Sequence, residues 1–560
     1  MKRKFIKTVS LLLCGCLLFG AFGCQGAAGG GDNTASSVGA PNYSESDKKL
    51  NMYAFIGPTD GTFTTANGTK VVAEDNRTVE RYQEYKDCGF DVLLLLGNDG
   101  YNGANRFGDR EALSGLEGAD REDKLNELKA AETEAYNKAQ LKKNLDMCEQ
   151  VGLKTIVFDD RVHELSTVED ISLIKAEGEQ AKPIIVHTQS HRIVAPFEGK
   201  GVDFDANTYT DPTTKTVYPI RYIRYQWNSM EELQETLSIW TSPYINHASF
   251  YGMSMFDEPT NKKLTALGEV DKALTALDPD IFVQCCLLPY YGGNSSILSV
   301  SSDKAFKEYI QEYLDKTDSE YFGYDYYPMT MNGNTTSMQA TYLYCLQMSA
   351  ELANKNNCDW EIIIQTYAQN NFLREVGYAD VDLQVNLALA FGAYNIGYFT
   401  YWMWQNKAGW PNYCAIMDDY GNKVIYDEVQ KVNNEAKQLA KIILNYRYQK
   451  TLLRYNDVSA PVWFKNVLES KLDKVKSFTS DGNTLVNQMY DQTNDCNGYM
   501  LVNVGDPAKE NVSVNTIEFE GFSCAMVVKN GVTSYKTLNA GKLTCYLEEG
   551  ESVFVIPYNN

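Results

Sequence analysis

An apolar run that ends at two adjacent acids and a proline lies near the middle of the chain, at Ser249-Phe250-Tyr251-Gly252-Met253-Ser254-Met255-Phe256-Asp257-Glu258-Pro259-Thr260. A near-continuous apolar run of this length is typical of a buried parallel strand, and proline cannot continue a central strand. Asp257 and Glu258 are therefore predicted to lie where a strand leaves its sheet. In α/β barrels the active sites are built at the carboxyl ends of the strands. The pair therefore suggests acid–base chemistry, and an acidic loop after an ordinary strand is the alternative.

Short apolar strands alternate with amphipathic helices from residue 51 onward, which is the pattern of parallel βα units. The predicted strands are 51–56, 91–96, 154–158, 249–256, 281–287, 321–326, 360–366 and 396–401. The predicted helices are 80–87, 123–151, 230–240, 261–277, 304–316, 337–354, 381–391 and 426–444. This repetition predicts a (β/α)8 TIM barrel over residues 49–448. A doubly wound open sheet is the competing topology, and the chain lacks the Gly-rich phosphate-binding motif that would favour it.

Two connections within the predicted barrel, 99–119 and 162–227, are too long to be plain loops. The second contains Gly199-Lys200-Gly201 and Asp211-Pro212 and is predicted to fold as a hairpin-rich insert. Both connections follow strands on the carboxyl side of the barrel, where they could wall a cleft.

The pattern changes after Tyr448, where short alternating apolar runs are separated by turns such as Asn530-Gly531. These runs predict strands at 458–464, 484–490, 498–504, 513–519, 525–529, 532–538, 543–547 and 552–556. Residues 449–560 are therefore expected to form a C-terminal all-β sandwich domain.

The first residues have the features of an export signal. A basic start is followed by an apolar segment over residues 9–19 that is too short to span a membrane. Ala21-Phe22-Gly23-Cys24 then resembles a bacterial lipobox, in which the cysteine is lipidated after cleavage. We therefore expect a signal peptide over residues 1–23, a lipid on Cys24 and a flexible Gly-, Ala- and Ser-rich tether over residues 24–48. This predicts a lipid-anchored protein on the outer face of a bacterial membrane.

The composition limits the partners and cofactors of the protein. The net charge is −22, which repels nucleic acid phosphates and anionic lipid headgroups. Neither nucleic acid nor direct membrane binding is expected beyond the lipid anchor. The pair His187 and His191 has helical metal-ligand spacing but follows a predicted strand, so no metal or other cofactor is expected. Cys285 and Cys286 lie inside an apolar strand and are predicted to be small core residues.

The carboxyl ends of the predicted strands carry acids, amides and aromatic rings. Such a surface suits a neutral, polyhydroxylated ligand, because sugar rings stack on Trp and Tyr while their hydroxyls bond to carboxylates and amides. An aromatic residue taken singly is more often part of the core, but rings recur here at the ends of several strands. The candidate binding residues are Asn98, Asp160, Tyr324, Tyr326, Gln365, Tyr401, Trp402 and Trp404.

Three of these segments resemble the clan A glycoside hydrolases, and most closely the beta-galactosidase family that carries a β domain after its barrel. The segments are Asp257-Glu258-Pro259, Tyr324-Asp325-Tyr326-Tyr327-Pro328 and residues 390–402. The resemblance implies that Glu258 is the general acid. It also implies an Asn before that Glu, where this chain has Asp257, and a nucleophilic Glu on strand seven, where this chain has Gln365.

The second catalytic carboxylate is therefore missing from its usual place. Glu361 lies near the amino end of strand seven, more than about 10 Å below the rim, and a retaining mechanism needs two carboxyls about 5 Å apart. Asp325, Asp159 or Asp160 could supply the second group, with an inverting mechanism tolerating a wider gap.

The substrate could also supply the nucleophile. Substrate-assisted hexosaminidases, among them beta-N-acetylgalactosaminidases of family 123, resemble this chain in their Asp-Glu pair at strand four. That resemblance implies that Asp257 orients a 2-acetamido group while Glu258 protonates the leaving oxygen. A third reading is a non-catalytic carbohydrate-binding lipoprotein that kept the fold and lost the chemistry.

We expect a glycoside hydrolase that acts on oligosaccharides or glycans, with either β-galactoside-like or β-N-acetylhexosaminide-like specificity. Its catalytic residues are predicted to be Glu258, Asp257 and Asp325. Burial and the charge of Asp257 are expected to raise the pKa of Glu258. Trp402 and Trp404 are expected to stack on the sugar.

Overall fold

The computed structural model of the chain describes residues 34–43, 49–65, 68–95, 100–105, 112–165, 202–203, 208–210, 213–219, 227, 229–292, 297–317, 319–333, 335–369, 372–403, 412–456, 460–509 and 512–560. The predicted signal peptide, Cys24, and the pair His187 and His191 lie outside the described residues.

The N-terminal part of the chain alternates strands and helices. In chain order these are β1 (Asn51–Phe55), β2 (Thr62–Thr64), β3 (Lys70–Val72), α1 (Val79–Asp87), β4 (Val92–Leu94), α2 (Gly118–Lys138), α3 (Gln140–Val151), β5 (Lys154–Val157), α4 (Asp160–Leu165), β6 (Val202–Asp203), β7 (Thr208–Thr210), β8 (Val217–Pro219), α5 (Met230–Thr241), β9 (Phe250–Asp257), α6 (Leu264–Leu277), β10 (Phe282–Leu287), α7 (Asp303–Lys316), β11 (Tyr321–Asp325), β12 (Met329–Asn332), β13 (Thr335–Met338), α8 (Tyr342–Asn356), β14 (Asp359–Gln365), β15 (Ala368–Gln369), α9 (Tyr378–Ala390), β16 (Asn395–Phe399), β17 (Asn412–Cys414) and α10 (Tyr426–Ile443).

Eight parallel strands close into a barrel in the order β1, β4, β5, β9, β10, β11, β14 and β16. They correspond one for one to the eight strands predicted from the sequence. The last strand, β16, pairs with β14 on one side and with β1 on the other, so the sheet has no free edge. The barrel prediction is confirmed, and the open doubly wound sheet is wrong.

The helices lie outside the barrel, and several begin at predictable caps. Thr78, Ser229 and Ser302 each accept a backbone N–H at the start of α1, α5 and α7, which satisfies a donor that would otherwise lack a partner. Two predicted helices differ from the structure. The segment 123–151 is divided into α2 and α3 by the extended backbone of Ala139, and the segment 337–354 becomes helical only at Tyr342, because β13 ends at Met338.

The C-terminal domain is a β-sandwich. Its strands are β18 (Arg447–Arg454), β19 (Val475–Ser480), β20 (Thr484–Asp491), β21 (Cys496–Asn503), β22 (Ser513–Phe519), β23 (Cys524–Lys529), β24 (Val532–Thr537), β25 (Lys542–Leu547) and β26 (Ser552–Tyr558). They form a six-stranded sheet, β18-β20-β21-β26-β23-β24, and a three-stranded sheet, β19-β22-β25. The sandwich prediction is confirmed.

Two strands of the sandwich were not predicted, and one predicted strand is wrong. β18 and β19 each carry several charged or polar residues, which hide their alternation in the sequence. The predicted strand 458–464 contains instead a short helical turn at Val462–Phe464. Pro461 precedes that turn and cannot donate to a strand ladder.

The barrel helices and one face of the six-stranded sheet share an apolar cluster. A second cluster fills the space between the two sheets of the sandwich. Buried amides join the two parts through backbone oxygens. Asn386 of α9 donates to Gly550 O (3.0 Å), and Asn487 of β20 donates to Ala390 O (3.1 Å). Gln347 of α8 exchanges two hydrogen bonds with the backbone of Leu468. The sandwich is therefore packed firmly on the helix layer.

Parts of the predicted tether and of the predicted insert lie among the described residues. Residues 34–43 lie against the sandwich, where Ala35 N donates to Tyr535 O (3.1 Å) and Tyr558 donates to Ser36 O. The flexible part of the predicted tether therefore cannot include these residues. Within the insert, β6, β7 and β8 form an antiparallel sheet, in agreement with the predicted hairpins. No described helix is both long and apolar enough to cross a membrane.

Candidate active site

The end of β9 is shaped by a bulge. Ser254 lies level with Gln284 of β10, but the next residue of β10, Cys285, lies level with Phe256, so β9 has one extra residue at Met255. An extra residue reverses the alternation of side chains along a strand. Phe256 consequently stacks on His163 of α4 at 4.6 Å, and Asp257 lies level with Cys286.

Glu258 follows Asp257 in an unusual backbone conformation. Its φ is +47°, in the left-handed region that few residues other than glycine adopt. Its N–H donates to Cys286 O at 2.8 Å, which ties the turn to the neighbouring strand. Such conformations persist only where the surrounding structure imposes them, and they concentrate at active sites.

Asp325 at the end of β11 joins this pair from the other side of β10. It is 9% exposed, and the Cys286 thiol donates to its Oδ1 at 3.5 Å. Cys286 also contacts the carboxyl of Asp257. The thiol therefore lies between the acids of β9 and β11, the fourth and sixth strands of the barrel. The three predicted catalytic carboxyls meet at the carboxyl rim.

The surroundings favour the protonated form of all three acids. Asp257 and Glu258 are partly exposed as residues, yet their carboxyls are buried enough to raise the pKa of each. For Glu258 burial is the larger cause and the charge of Asp257 the second, as predicted. Burial, followed by the charges of Glu258 and Asp257, raises the pKa of Asp325 to about 8. A carboxyl that keeps its proton near neutral pH can act as a general acid.

Aromatic rings surround the three acids. Tyr327, Tyr367 and Phe399 pack against one another at 5.0 to 5.6 Å, and burial and then the charge of Asp325 raise the pKa of both tyrosines. Tyr291 lies beside Tyr326 at 4.7 Å and is 41% exposed. None of these four was among the binding residues predicted from the sequence, although each lies at or just past the end of a strand.

Two predicted binding tyrosines face the helices instead of the cleft. The hydroxyl of Tyr324 accepts from Ser349 of α8 (2.9 Å), and its ring stacks on Trp360. The hydroxyl of Tyr326 bonds to Thr341 (2.9 Å), and both side chains are fully buried. Successive strand residues point to opposite faces, so the inward position of Asp325 turns its two neighbours outward. The binding prediction for both is wrong.

The rings that follow β16, the eighth strand of the barrel, are also buried. Tyr401 packs on Tyr85 (4.7 Å) and Phe90 (5.9 Å). Trp402 is 1% exposed and lies beneath the guanidinium of Arg81. Neither presents a face to a sugar, so both predictions are wrong. The predicted binding residues Asn98 and Trp404 lie outside the described residues.

Gln365 is a structural residue. Its Oε1 accepts from Met329 N (2.9 Å), and its Nε2 donates to the backbone oxygens of Met329 (3.3 Å), Tyr367 (3.1 Å) and Arg374 (3.1 Å). These backbone partners use both ends of the amide, and the side chain is fully buried. The prediction that Gln365 binds a sugar hydroxyl is therefore wrong.

Asp159 belongs to a buried ion network. Arg161 donates to both of its oxygens (3.0 and 2.8 Å) and also to Glu132 (2.6 Å), while Tyr244 donates to Asp159 at 3.0 Å. Asp159 is thus not free to act as a second catalytic carboxylate. Asp160 is half-buried at the first position of α4, and its predicted role in binding stays a prediction.

Glu361 lies inside the barrel, below the rim. It is fully buried, and Tyr53 donates to its Oε1 at 3.3 Å. Gly323 leaves room for it, since a Cβ there would lie 2.0 Å from Glu361 Cγ. Burial raises the pKa of Glu361 to about 8. Its position agrees with the prediction that it cannot reach a bound sugar.

The described residues contain no group of three or more His, Cys, Asp or Glu side chains arranged to hold a metal ion. Their nine cysteines outside β17 are free thiols, and Cys285 and Cys286 are buried as predicted.

Comparison with known proteins yields similar structures but no sequence relative. No protein-family model matches the chain, and no curated protein matches it. A family 5 glycoside hydrolase from Bacteroides vulgatus is 8% identical, with 95% of this chain and 93% of that chain covered and a TM-score of 0.43. A GH30 endoxylanase from Clostridium papyrosolvens is 10% identical over 95% and 98% of the two chains, with a TM-score of 0.35.

A beta-galactosidase from Marinomonas is 10% identical, covers 70% of this chain and 60% of its own, and has a TM-score of 0.37. The similar structures are thus glycoside hydrolases of several families. At these TM-scores they do not favour one activity over another, and the beta-galactosidase type is not confirmed. The barrel is assigned from the pairing of its own strands.

Proposed function

We propose that the protein is a glycoside hydrolase that cleaves O-glycosidic bonds of oligosaccharides or glycans, with Glu258 as general acid. The observation that carries this proposal is the meeting of three carboxyls at the carboxyl rim of the barrel. The acids at the ends of β9 and β11 lie on either side of Cys286, where aromatic rings surround them. This is the part of a barrel where active sites are built.

Each acid has a distinct role in this proposal. Glu258 gives its proton to the leaving oxygen as the bond between that oxygen and the anomeric carbon breaks. Asp257, next to it, orients the group that attacks the anomeric carbon. Asp325 is the most buried of the three and holds a proton beside the other two, because burial and the charges of Glu258 and Asp257 favour its protonated form. Tyr291, Tyr327 and Tyr367 provide the apolar faces against which a sugar ring packs.

The side chains of β14, the seventh strand of the barrel, support a mechanism without an enzyme nucleophile on that strand. Gln365 is held by backbone partners, and Glu361 is sealed inside the barrel. The attacking group is then a water, as in inversion, or the substrate's own 2-acetamido oxygen. In the second case that oxygen bonds to the anomeric carbon, and the Asp257 carboxylate accepts the amide N–H. The adjacent Asp257 and Glu258 favour a β-N-acetylhexosaminide over a β-galactoside.

The test is to incubate the wild-type protein with aryl β-N-acetylhexosaminides and aryl β-galactosides. We expect cleavage of the hexosaminide series and a loss of about 10²- to 10⁴-fold in kcat/KM on Glu258→Gln. Glu320→Gln, an exposed acid at the amino end of β11, is the matched control and should keep full activity. Cleavage that survives Glu258→Gln would refute the role of Glu258. Glycan binding by calorimetry without any release of reducing ends would favour a carbohydrate-binding protein.

We further propose that the enzyme is a bacterial surface lipoprotein, held to the membrane by a lipid on Cys24. The lipobox-like segment and the short apolar segment before it support this placement.

A further inference from the structure

Two loops carry the tyrosines that flank Asp325. Tyr327 belongs to the loop of residues 326–338, which contains the β12–β13 hairpin, and Tyr367 belongs to the loop of residues 366–377 after β14. The loops are bonded to each other, since Met331 N donates to Phe372 O (2.9 Å) and Arg374 N donates to Met329 O (3.1 Å). Gln365 binds the backbone of both loops.

Arg374 anchors the second loop. Its guanidinium pairs with both oxygens of Asp380 in the first turn of α9 and donates to Glu375 O (3.0 Å). Asp380 also accepts from Gly377 N at 2.9 Å, so it caps the helix that follows the loop. The arginine is almost fully buried, and a charge at such a site needs partners that hold it in place.

A further partner of this arginine comes from the C-terminal domain. Asp506 follows β21 and is 4% exposed. Its Oδ1 lies 3.7 Å from Nη2 of Arg374, and its Oδ2 accepts from Thr336 of β13 at 3.1 Å. One carboxylate of the sandwich thus contacts both of these loops, 326–338 and 366–377, which are called the rim loops below. Lys509 lies 3.4 Å from the same carboxylate and belongs to the same turn.

We propose that Asp506 is a positioning residue of the active site, through which the C-terminal domain holds both rim loops. By fixing the hairpin through Thr336 and the second loop through Arg374, it keeps Tyr327 and Tyr367 against Asp325. The β-sandwich is then a working part of the catalytic site as well as a packing partner of the barrel. The catalytic consequence of this contact rests on the proposed glycoside hydrolase function, whereas the loop contact itself does not.

The test compares Asp506→Asn, Asp506→Ala and Asp506→Glu with the wild-type protein. Asp506→Asn keeps an acceptor for Thr336 but removes the charge that faces Arg374. We expect about tenfold faster hydrogen exchange at the amides of Met331 and Arg374 in the Asn and Ala variants. We also expect kcat to fall about tenfold with little change in KM, since a small displacement of a catalytic group is costly. Asp506→Glu should restore part of the protection from hydrogen exchange and part of kcat.

Asp473→Asn is the matched control. Asp473 is an exposed acid of the same domain that pairs with Lys450 and touches neither loop, so this variant should match the wild-type protein. Unchanged exchange at Met331 and Arg374 in Asp506→Asn and Asp506→Ala would overturn the proposal. If the wild-type protein cleaves no glycoside, the exchange measurement still decides the loop contact, and only the proposed activity fails.

Discussion

Asp257 and Glu258 show how much the charge of one residue depends on its neighbour. Burial raises the pKa of Glu258, and the adjacent Asp257 charge raises it further. The two acids are neighbours in the chain, and the bulge at Met255 sets Asp257 level with Cys286. A general acid at this position must hold its proton until the leaving oxygen takes it. The pH dependence of the reaction therefore reports directly on this contact.

Asp257→Asn should move the alkaline limb of the kcat/KM profile to lower pH. Removing the neighbouring negative charge makes ionised Glu258 less unfavourable, so the pKa of Glu258 falls and its proton is lost earlier. The profile is measured with the best aryl glycoside of the panel. Asp280→Asn makes the same charge change at the exposed amino end of β10 and should leave the limb in place. A limb that stays or moves to higher pH in Asp257→Asn would contradict the proposed coupling.

Glu361→Gln should stabilise the protein in a pH-dependent way. The native pKa of Glu361 is about 8, while its unfolded pKa is near the ordinary value. Between about pH 4.5 and 8 the native state binds a proton that the unfolded state has released, so this residue lowers stability as pH rises through that window. Urea unfolding should show no difference between variant and wild type near pH 4 and about 2 to 4 kcal/mol in favour of the variant near pH 8. A difference independent of pH would show that Glu361 does not titrate this way.

At the scale of single elements, strand alternation decides which residues reach the cleft. Asp325 points inward from β11, and its neighbours Tyr324 and Tyr326 point toward α8. β14 ends in Gln365, whose amide joins two loops and is not available to a ligand. The aromatic wall is therefore built from residues just past the strand ends, such as Tyr327 and Tyr367.

Gln365→Glu should weaken the rim without creating a nucleophile. A carboxylate cannot donate to the backbone oxygens of Met329, Tyr367 and Arg374, and a buried unpaired charge costs about 3 kcal/mol or more. Urea unfolding should show this loss, whereas Gln83→Glu on the exposed face of α1 should change stability by less than about 0.5 kcal/mol. Intact mass after incubation with a 2-deoxy-2-fluoroglycoside gives the second readout. A covalent sugar at position 365 would refute the structural role.

At the scale of the whole molecule, the barrel and the sandwich act as one body. One apolar cluster joins the barrel helices to the six-stranded sheet, and Asp506 extends the contact to the carboxyl rim of the barrel. Residues 34–43 lie along the sandwich, and the predicted anchor, Cys24, lies outside the described residues.

Cys24→Ser should release the protein from the membrane. Two or more acyl chains are needed for stable anchoring, and the modified cysteine would carry them. Wild-type protein expressed in a bacterial host should partition into the detergent phase of Triton X-114 and incorporate an alkyne fatty acid, and the variant should do neither. Cys16→Ser, within the leader, is the control and should behave as wild type. Label retained in Cys24→Ser would contradict the proposed anchor.

The sequence by itself determined the architecture of this protein and the strand ends at which its acids lie. Eight apolar runs, their helices and the change of pattern after Tyr448 are local features, because a residue's hydrophobicity and spacing decide which element it joins. The adjacency of Asp257 and Glu258 before Pro259 marked the site for the same reason. The arrival of Asp325 beside them followed from closed-barrel topology, which brings all carboxyl ends to one rim.

The tertiary structure alone decided which side chains face the cleft. The bulge at Met255 changes the register of β9 against β10, and no pattern within β9 encodes it. The partners of Gln365 and the contact between Asp506 and Arg374 join residues far apart in the chain. Such contacts depend on how loops and domains pack. The sequence at the end of a strand therefore looks the same whether the side chain binds a ligand or holds two loops together.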